Sequence, residues 1–181
     1  MSKEPVHQSL VETAWLAAHL DDPGLRIVDA RWRGDGSGRQ LYREGHIPGA
    51  IHLDWHLDLN HTRHGVRDLL LPPDQFAGVM SAAGIGDETR VVAYAETDYS
   101  GAARLWWAFR YYGHDRVAVL NGGLTRWLAE GRPLSTEVPD VAPARFTPRP
   151  RPNLLATAAE IESILQDPAR KAALVDTRPL E

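Results

Sequence analysis

Apolar runs and helical stripes alternate along most of the chain. Mainly apolar runs occupy residues 25–30, 91–94 and 117–120. They are too short for helices and do not alternate strictly with polar residues, which favours buried strands. Apolar side chains also recur at helical spacing over four stretches, 10–20, 72–84, 102–109 and 123–128. Apolar strands separated by amphipathic helices are typical of a parallel sheet covered on both faces. The pattern therefore predicts an α/β fold with a doubly wound parallel sheet.

Two polar stretches interrupt this pattern in the first half of the chain. Residues 33–39 contain three glycines and predict a loop. Residues 54–70 are polar and rich in histidine, so we expect them to be irregular. Between these stretches, Pro48-Gly49 indicates a tight turn that leads into a short strand near residues 50–53.

A proline-rich segment separates this pattern from a partial repeat of its beginning. Residues 134–153 hold five prolines and no helical stripe, so they are expected to form an extended linker. Beyond them the first helix and strand recur: Leu10, Leu16 and Leu20 correspond to Leu155, Ile161 and Leu165, and Val28-Asp29-Ala30-Arg31 corresponds to Val175-Asp176-Thr177-Arg178.

Sequences of unrelated helix-strand units resemble one another to some extent, so the similarity of these two segments could arise without a duplication. Both segments nevertheless have an Asp-Pro pair where the helix ends, Asp22-Pro23 and Asp167-Pro168, and an aspartate at the end of the strand, Asp29 and Asp176. These matches favour an internal duplication. The predicted organisation is a domain over residues 1–133, a linker over 134–153, and the first helix and strand of a second domain over 154–181.

Composition and charge narrow the classes of function. The 181 residues carry a net charge of −4 and contain no basic tract, so the charge distribution does not predict nucleic-acid binding. No apolar run approaches the ~20 residues that span a bilayer. The first ten residues lack the apolar region of a signal peptide, so we expect a cytoplasmic protein with no membrane partner. The chain contains no cysteine, which excludes disulfides, cysteine-ligated zinc and thiol catalysis within these residues.

Residues 90–105 have the organisation of an active site. A strand ends at Tyr94, a polar loop follows, and a helix begins near Ser100. In open α/β sheets, ligands bind where strand ends meet helix N-termini. The loop has no obvious nucleophile, however. Ser100 has acidic neighbours in Glu96 and Asp98, but the loop has no histidine and no GxSxG motif. We therefore expect Ser100 to be an N-cap rather than the nucleophile of a hydrolase.

Other polar residues have both a structural and a functional interpretation. Asp29, at the end of a strand, is expected to accept hydrogen bonds from loop amides rather than to act as a general base. Four histidines cluster in one polar segment: His52, His56, His61 and His64. Zinc needs ligands that converge in space, and this segment does not predict a helix, so we expect neither a metal site nor a cofactor.

The string Tyr42-Arg43-Glu44-Gly45-His46-Ile47-Pro48-Gly49-Ala50 resembles the N-terminal signature of the rhodanese family. Four further stretches agree with this resemblance: 27–31, 104–110, 113–114 and 119–124. The resemblance extends from Leu10 to the end of the chain. It is to the N-terminal half of tandem-domain sulfurtransferases of the thiosulfate or mercaptopyruvate type, and it implies a rhodanese-like sheet with helices on both faces.

The resemblance also implies a persulfide mechanism. In this family a cysteine thiolate takes a sulfane sulfur from a small anionic donor and passes it to cyanide or another thiophilic acceptor. The cysteine follows the strand equivalent to 91–94, where loop amides stabilise the thiolate. Ala95 stands at about that position here. Tandem members usually keep the reactive cysteine in the second half only. The chain is therefore expected to be a silent copy, inactive alone, that partners its own second domain.

Structural roles for the signature residues follow from the same resemblance. His46 is expected to order the Pro48-Gly49 turn rather than to act in catalysis, and Asp29 is expected to be structural as well. Trp127 is expected to pack in the core. Trp106 and Trp107 are adjacent on a helix and cannot both face the core, so one of them is expected to face the second domain.

Other residues are expected to contact the substrate. By resemblance, Trp32 and the loop aromatic Tyr99 wall a substrate pocket at the domain interface, although simple core packing explains Trp32 equally well. Arg31 and Arg104 would present positive charge to an anionic donor; surface salt bridges explain them equally well.

One departure from the family pattern bears on the sulfur donor. Relatives of the mercaptopyruvate type carry an Asp in the polar segment and a His just before its Leu-Pro pair. Here His56 falls near the Asp position, and Asp68-Leu69-Leu70-Leu71-Pro72 has no His. This difference favours thiosulfate as the donor.

A rival interpretation belongs to another class of function. The chain would then be a non-catalytic rhodanese-like module that binds a partner or an anion. Without its second domain, such a module would expose interface aromatics, which favours a homodimer or another partner. The sequence that follows Glu181 distinguishes the two, because a cysteine after the second copy's own strand would support the enzyme.

Overall fold

Strands and helices alternate along most of the chain as far as residue 129, except that three strands follow one another between residues 50 and 70. The computed structural model describes residues 9–96, 99–167, 169 and 172–177. The strands are β1 Leu10–Val11, β2 Leu25–Asp29, β3 Ala50–His52, β4 Asn60–Arg63, β5 Val66–Leu70, β6 Arg90–Tyr94 and β7 Val117–Leu120. The helices are α1 Thr13–Ala17, α2 Gly38–Glu44, α3 Pro73–Ala82, α4 Ser100–Tyr111, α5 Gly123–Ala129 and α6 Ala158–Gln166, with a 3-10 turn at Pro152–Leu154.

Five of the strands form one parallel sheet in the order β1-β7-β6-β2-β3. The register pairs Ile27 with both Ala50 and Val92, and Val91 with Val117. From β2 the chain first adds β3 on one side and then adds β6 and β7 on the other side. The direction of winding therefore reverses between β2 and β6, which are neighbours. The doubly wound parallel sheet predicted from the apolar strands is confirmed.

Helices cover both faces of this sheet because successive side chains of a strand point to opposite sides. On β6, Val91 and Ala93 face a core that α3 and α4 complete. Val92 and Tyr94 face the opposite core, which contains Trp127 of α5. Trp127 is fully buried and its indole N–H donates to Pro133 O at 2.8 Å, so its predicted place in the core is confirmed.

The prediction that residues 54–70 are irregular is wrong in part. Strands β4 and β5 form an antiparallel hairpin, separate from the main sheet. Its turn contains His64 and Gly65, which both have positive φ, 50° and 78°. Because most of the hairpin is exposed, its side chains do not alternate between apolar and polar, and the sequence carries no strand pattern there.

The elements around the first helix also differ from the prediction. The stretch 10–20 was expected to be one helix, but its first two residues form β1, the edge strand beside β7, and α1 covers only 13–17. Part of the glycine-rich stretch predicted as loop belongs to α2, which begins at Gly38. A Cβ at Gly38 would lie 2.8 Å from Arg31 O, so this glycine permits the helix to start against the backbone.

The segment 134–151, here called the strap, is extended and packs along the domain. Ser135 exchanges two backbone hydrogen bonds with His46, at 2.8 and 2.9 Å. Phe146 is buried, 6% exposed, with its ring 5.5 Å from that of Phe76. Further on, the Arg149 amide donates to Tyr112 O at 2.8 Å. The extended conformation agrees with the proline content, and the strap also contributes to the core.

The end of the chain contains the helix expected from the repeat. Thr157 caps α6 in a capping box with Glu160. Residues 172–177 form no strand, and Val175 is 79% exposed. A parallel strand needs a neighbour to satisfy its backbone groups, and no described strand lies beside this segment. Arg178 of the repeat, and Leu180 and Glu181, lie outside the described residues. Within the part that is described, no helix has both the length and the apolar character to cross a bilayer.

The strap generates a prediction about stability. Phe146→Ala removes an aromatic side chain from the core and is expected to lower the free energy of unfolding by about 3–5 kcal/mol. Val138→Ala is the matched control on the same segment, because Val138 is 61% exposed and its truncation should change stability by less than about 0.5 kcal/mol. Urea denaturation measures both. Equal effects of the two substitutions would show that the strap is not part of the cooperative unit.

Two buried histidines predict how stability depends on pH. Burial lowers the pKa of His114, whose Nε2 lies 2.9 Å from Thr89 O, and burial also lowers the pKa of His52. The unfolded chain therefore binds these protons at higher pH than the folded chain. The contribution of these two histidines to the free energy of unfolding should be fully present above about pH 6.5. It should be lost as the pH falls below that value, by up to ~1.4 kcal/mol per pH unit for each histidine.

The test is urea denaturation between about pH 7.5 and pH 5. His114→Gln should make the decrease shallower, because one of the two protons is no longer taken up on unfolding. His61→Gln, in the exposed hairpin, is the matched control and should leave the slope unchanged. An unchanged slope in His114→Gln would contradict the assignment.

Candidate functional site

The candidate site lies at the carboxyl ends of β2 and β6, where the winding of the sheet reverses. The Ala30 amide donates to Tyr94 O at 2.8 Å, which joins the two strand ends. Helix α4 begins directly above them, and a Cβ at Gly101 would lie 2.2 Å from Ala30 O. Only glycine permits that approach. Open α/β sheets bind ligands at this reversal point.

Ala95 is the first residue after β6. It is 3% exposed, and its carbonyl accepts a hydrogen bond from the Leu124 amide at 2.8 Å. Gly123 lies equally close, since a Cβ there would be 2.4 Å from Ala95 O. The residue after β6 is thus held against the N-terminus of α5, while the N-terminus of α4 lies against Ala30, the residue after β2. The Ala95 side chain is a methyl group, and the chain has no cysteine, so these residues cannot form a cysteine persulfide.

Glu96 follows Ala95 and is held by two arginines. Its carboxylate forms an ion pair with Arg33 and lies 3.7 Å from Nη1 of Arg31. The side chain of Glu96 is 32% exposed. A negative charge therefore stands beside the position expected for the nucleophile. Asp98, the other acid of the predicted loop, lies outside the described residues.

A buried network of Asp29, Arg31 and Tyr94 supports the site from below. Asp29 is fully buried and accepts from the Arg31 amide at 3.0 Å, from the Arg31 guanidinium at 2.6 Å and from the Tyr94 hydroxyl at 2.7 Å. Acceptance of a loop amide is the geometry expected for this aspartate. Burial, together with the adjacent Asp29 charge, raises the pKa of Tyr94 well above its ordinary value. The tyrosine is therefore a permanent hydrogen-bond donor to Asp29.

The two arginines expected to face an anionic donor have different environments. Arg31 is 4% exposed, and its guanidinium also donates to Gly45 O at 2.7 Å. Burial opposes its charge, but the bonds to Asp29 outweigh that effect and raise the pKa of Arg31. Arg31 is thus a buried cation that pairs with the buried Asp29 and lies 3.7 Å from the partly exposed Glu96.

Arg104, on α4, is more accessible. Its guanidinium lies 5.6 Å from the ring centre of Trp55 and 5.4 Å from that of Trp107. Nη2 donates to the carbonyl of Asp68 at 2.5 Å. Burial lowers the pKa of Arg104, although arginine stays protonated at neutral pH. Among the described residues, no carboxylate forms an ion pair with it.

Trp32 and Tyr99 lie on either side of the α4 N-terminus. The Trp32 indole N–H donates to Ser100 Oγ at 3.3 Å, and its ring contacts that of Trp55 at 5.1 Å. The Tyr99 hydroxyl accepts from the Gly122 amide at 2.9 Å, and Tyr99 is 40% exposed. Ser100 is not the N-cap: it is the first residue of α4, Tyr99 precedes it as the cap, and its hydroxyl meets Trp32 instead. Tyr99, at the cap position, makes no side-chain capping hydrogen bond.

His46 lies in the signature turn and is fully buried. Its ring nitrogens lie 2.7 Å from Tyr42 O and 3.0 Å from Glu137 O, which links the turn to the strap. Gly49 has a φ of 76°, a conformation that favours glycine, and Pro48 precedes it. The Tyr94 hydroxyl also accepts from the Ile47 amide at 3.1 Å, so the signature turn is anchored to the end of β6.

The four histidines of the polar segment do not converge. His52 bonds to Asp29 O at 3.0 Å, whereas His56 lies 3.4 Å from the Asp68 carboxylate and 5.9 Å from the Trp32 ring. His61 and His64 belong to the hairpin. Within the described residues, no three side chains of the types that ligate metals come close enough to hold an ion.

Several residues of the site could not be recognised from the sequence. Trp55 contacts Trp32 and Arg104, but it lies in a segment with no periodic pattern. Asp68 has a positive φ of 63° and exchanges side-chain and backbone hydrogen bonds with Asn60 at 2.8 and 3.1 Å. This residue holds both His56 and Arg104 at the edge of the site. Only the antiparallel register of the hairpin places Asn60 and Asp68 together.

Comparison with known proteins agrees with this architecture. The family model for the rhodanese-like domain matches residues 12–130. Sulfur carrier protein TtuD from Thermus thermophilus is 37% identical over 171 residues, which cover 93% of this chain and 57% of that protein. Thiosulfate sulfurtransferase from Bos taurus is 35% identical over 187 residues, which cover 98% of this chain and 62% of that protein.

A solved structure supports the same conclusion. The crystal structure of SseA, a 3-mercaptopyruvate sulfotransferase from Escherichia coli, superposes with a TM-score of 0.81 at 29% sequence identity. The match covers 88% of this chain and 62% of that one. The chain therefore spans about three fifths of the length of the relatives it matches. With its signature turn, its parallel sheet and the family model in agreement, the chain belongs to the rhodanese family.

Proposed function

We propose that this chain is the non-catalytic rhodanese-like domain of a tandem sulfurtransferase, together with the opening of the second domain. The observation that carries the proposal is Ala95. It is buried at the carboxyl end of β6, against the N-terminus of α5 and next to the strand end above which α4 begins, yet the side chain that would carry sulfur is a methyl group. A duplicated domain that has kept its architecture and lost its nucleophile accounts for both facts.

The proposed reaction needs a cysteine thiolate outside these residues. The thiolate attacks the outer sulfur of thiosulfate, the sulfur–sulfur bond of the donor breaks, and sulfite leaves with the bonding electron pair. Cyanide, or another thiophilic acceptor, then attacks the outer sulfur of the persulfide, and the thiolate is restored as thiocyanate leaves. No metal or redox cofactor is needed to balance either step. The cysteine would lie in the second domain, at the position that corresponds to Ala95.

The second domain is proposed to cover the aromatic end of α4. The Trp107 indole N–H donates to Leu154 O at 2.9 Å, so the chain that leaves the strap already crosses this helix. Beyond it, Leu155 and Leu165 are 41% and 58% exposed and lie on the part of the chain that repeats the first helix. Exposed apolar side chains of this kind favour burial against further structure. Without the rest of the second domain, they would favour self-association.

Arg104 is the residue proposed to attract the anionic donor. Among the described residues no carboxylate forms an ion pair with it, although the charge of Asp68 acts on it, and its guanidinium lies 5.6 and 5.4 Å from the ring centres of Trp55 and Trp107. Trp32, with Trp55 and His56 against its ring, would form the wall beside it, and Tyr99 would form the other side. Arg31 acts differently in this proposal: it positions the loop through Asp29 and Glu96.

We propose thiosulfate as the donor, on two grounds. One of the similar proteins is a thiosulfate sulfurtransferase. The segment around His56 also lacks the Asp and His pattern that mercaptopyruvate-type relatives carry. A structure with high similarity is nevertheless a 3-mercaptopyruvate enzyme, so both donors belong in the assay. We also propose that the parent protein is cytoplasmic, which cell fractionation tests.

The first prediction of this proposal concerns activity. The 181-residue chain should form no thiocyanate from thiosulfate and cyanide, whereas the protein encoded by the whole reading frame should turn over. Replacement of the cysteine in its second half by serine should abolish that turnover, because the persulfide can no longer form. Turnover by the 181-residue chain would refute the proposal. A reading frame without a second-half cysteine would instead favour a non-catalytic binding module.

A second prediction concerns the donor. In the full-length protein, Arg104→Gln should raise the KM for thiosulfate about tenfold with a smaller change in kcat, because it removes one charge-assisted interaction with the anion. Arg116→Gln is the matched control, since Arg116 is exposed and paired with Glu88. Initial rates at several donor concentrations separate KM from kcat. An equal KM for the two variants would remove Arg104 from the binding site.

A further inference from the structure

A groove of about 750 Å³ lies beside β3, the edge strand of the main sheet. Its floor includes Ile51 of the strand and Leu53, which follows the strand, and one wall is formed by Val79 of α3 and Ala83, which follows that helix. None of its lining residues is Ala95 or one of the residues that surround the α4 N-terminus. The volume is typical of a pocket for a small molecule. This groove plays no part in the sulfurtransferase proposal.

The strap closes one end of the groove. Val138 and Val141 of the strap both line it. Val138 is 61% exposed, and Leu57, across the groove, is 59% exposed. The apolar surface of the floor therefore continues onto both rims. A ligand with an apolar body would bury side chains that are now in contact with water.

The charged groups of the groove leave one positive charge without a partner. Arg39 and Arg43 project from α2, and Asp58 lies opposite them. Arg39 already forms an ion pair with Asp58. Arg43 is exposed, and among the described residues no carboxylate pairs with it. The groove thus has a net charge that suits a ligand with one negative charge.

The remaining polar side chains of the groove are neutral and held by the protein. The Tyr42 hydroxyl donates to Ala50 O at 2.8 Å. His52 donates from Nδ1 to Asp29 O at 3.0 Å, and burial lowers the pKa of its ring, so it carries no charge near neutral pH. The Tyr42 and His52 rings stack at 5.3 Å, which fixes this part of the floor. Arg43 is therefore the group that selects for charge.

We propose that this groove binds a small amphipathic monoanion, an aliphatic or aromatic carboxylate, with the carboxylate on Arg43 and the apolar body along β3 and α3. A carboxylate matches the planar fork of a guanidinium and can accept two parallel hydrogen bonds from it. A dianion would exceed the single free charge, and a neutral apolar molecule would leave that charge unused. The ligand would also contact the strap, which leads from this domain to residue 154.

The test uses the 181-residue chain and three probes of related shape. Octanoate has the apolar body and the charge, octanamide has the body alone, and propionate has the charge with little body. Titration followed by two-dimensional amide NMR should show octanoate shifting resonances of α2, β3 and the strap. Octanamide and propionate should bind at least tenfold more weakly, because each lacks one of the two contributions.

Two variants and one control locate the site. Arg43→Gln should weaken octanoate binding about tenfold and leave octanamide unaffected. Ala82→Phe, on the exposed end of α3 where Ala82 lines the groove, should block octanoate by filling the space. Arg63→Gln, which removes an exposed arginine from the hairpin, should bind as the original chain does. Thermal denaturation checks that each variant is folded.

Several outcomes would overturn the proposal. One is the absence of shifts with millimolar octanoate, and another is equal affinity for octanoate and octanamide. Equal weakening by Arg43→Gln and Arg63→Gln would show non-specific attraction to positive charge. The comparison of probes on the unmodified chain decides the question even where a variant fails to fold.

Discussion

A single buried carboxylate holds the parts of this domain together. Asp29 accepts hydrogen bonds from Arg31 and Tyr94, and through them it connects β2, β6, the C-terminal end of α2 and the signature turn. A buried charge is costly unless it is paired and hydrogen-bonded, and removal of one partner leaves the other uncompensated. The strand ends and the turn can therefore adopt only the arrangement in which all these bonds are made.

This arrangement separates the architecture of a catalytic loop from its chemistry. The geometry at Ala95 depends on backbone contacts with Gly123 and Leu124, and that at the neighbouring Ala30 depends on the close approach of Gly101; none of these contacts needs a cysteine. A domain can thus lose its nucleophile and keep its fold. Glu96, which is paired with Arg31 and Arg33, carries a negative charge next to position 95. A like charge would disfavour a thiolate at that position.

Two segments without a periodic sequence pattern, the strap and the β4–β5 hairpin, contribute contacts to the core and to the candidate site. The strap places Phe146 in the core, and its Glu137 carbonyl forms a hydrogen bond with a ring nitrogen of His46. The hairpin places Asp68 beside His56 and Arg104 although it buries little apolar surface itself. Both segments connect regions that are distant along the chain, so their contacts have no periodic pattern. The same is true of the groove beside β3, which four separate segments line.

The sequence by itself determined the fold class, the family and the missing nucleophile. Apolar strands indicate burial on both faces, the string around His46 is specific to the family, and Ala95 can be read directly. It also determined the place of Trp127, because a large apolar side chain on a helical stripe packs inward. Only the tertiary structure decided that Arg31 is buried on Asp29, that Ser100 bonds to Trp32 rather than capping α4, and that residues 54–70 contain a hairpin. Each of these depends on a partner far away in the chain, or on exposed strands whose polar side chains follow no periodic rule.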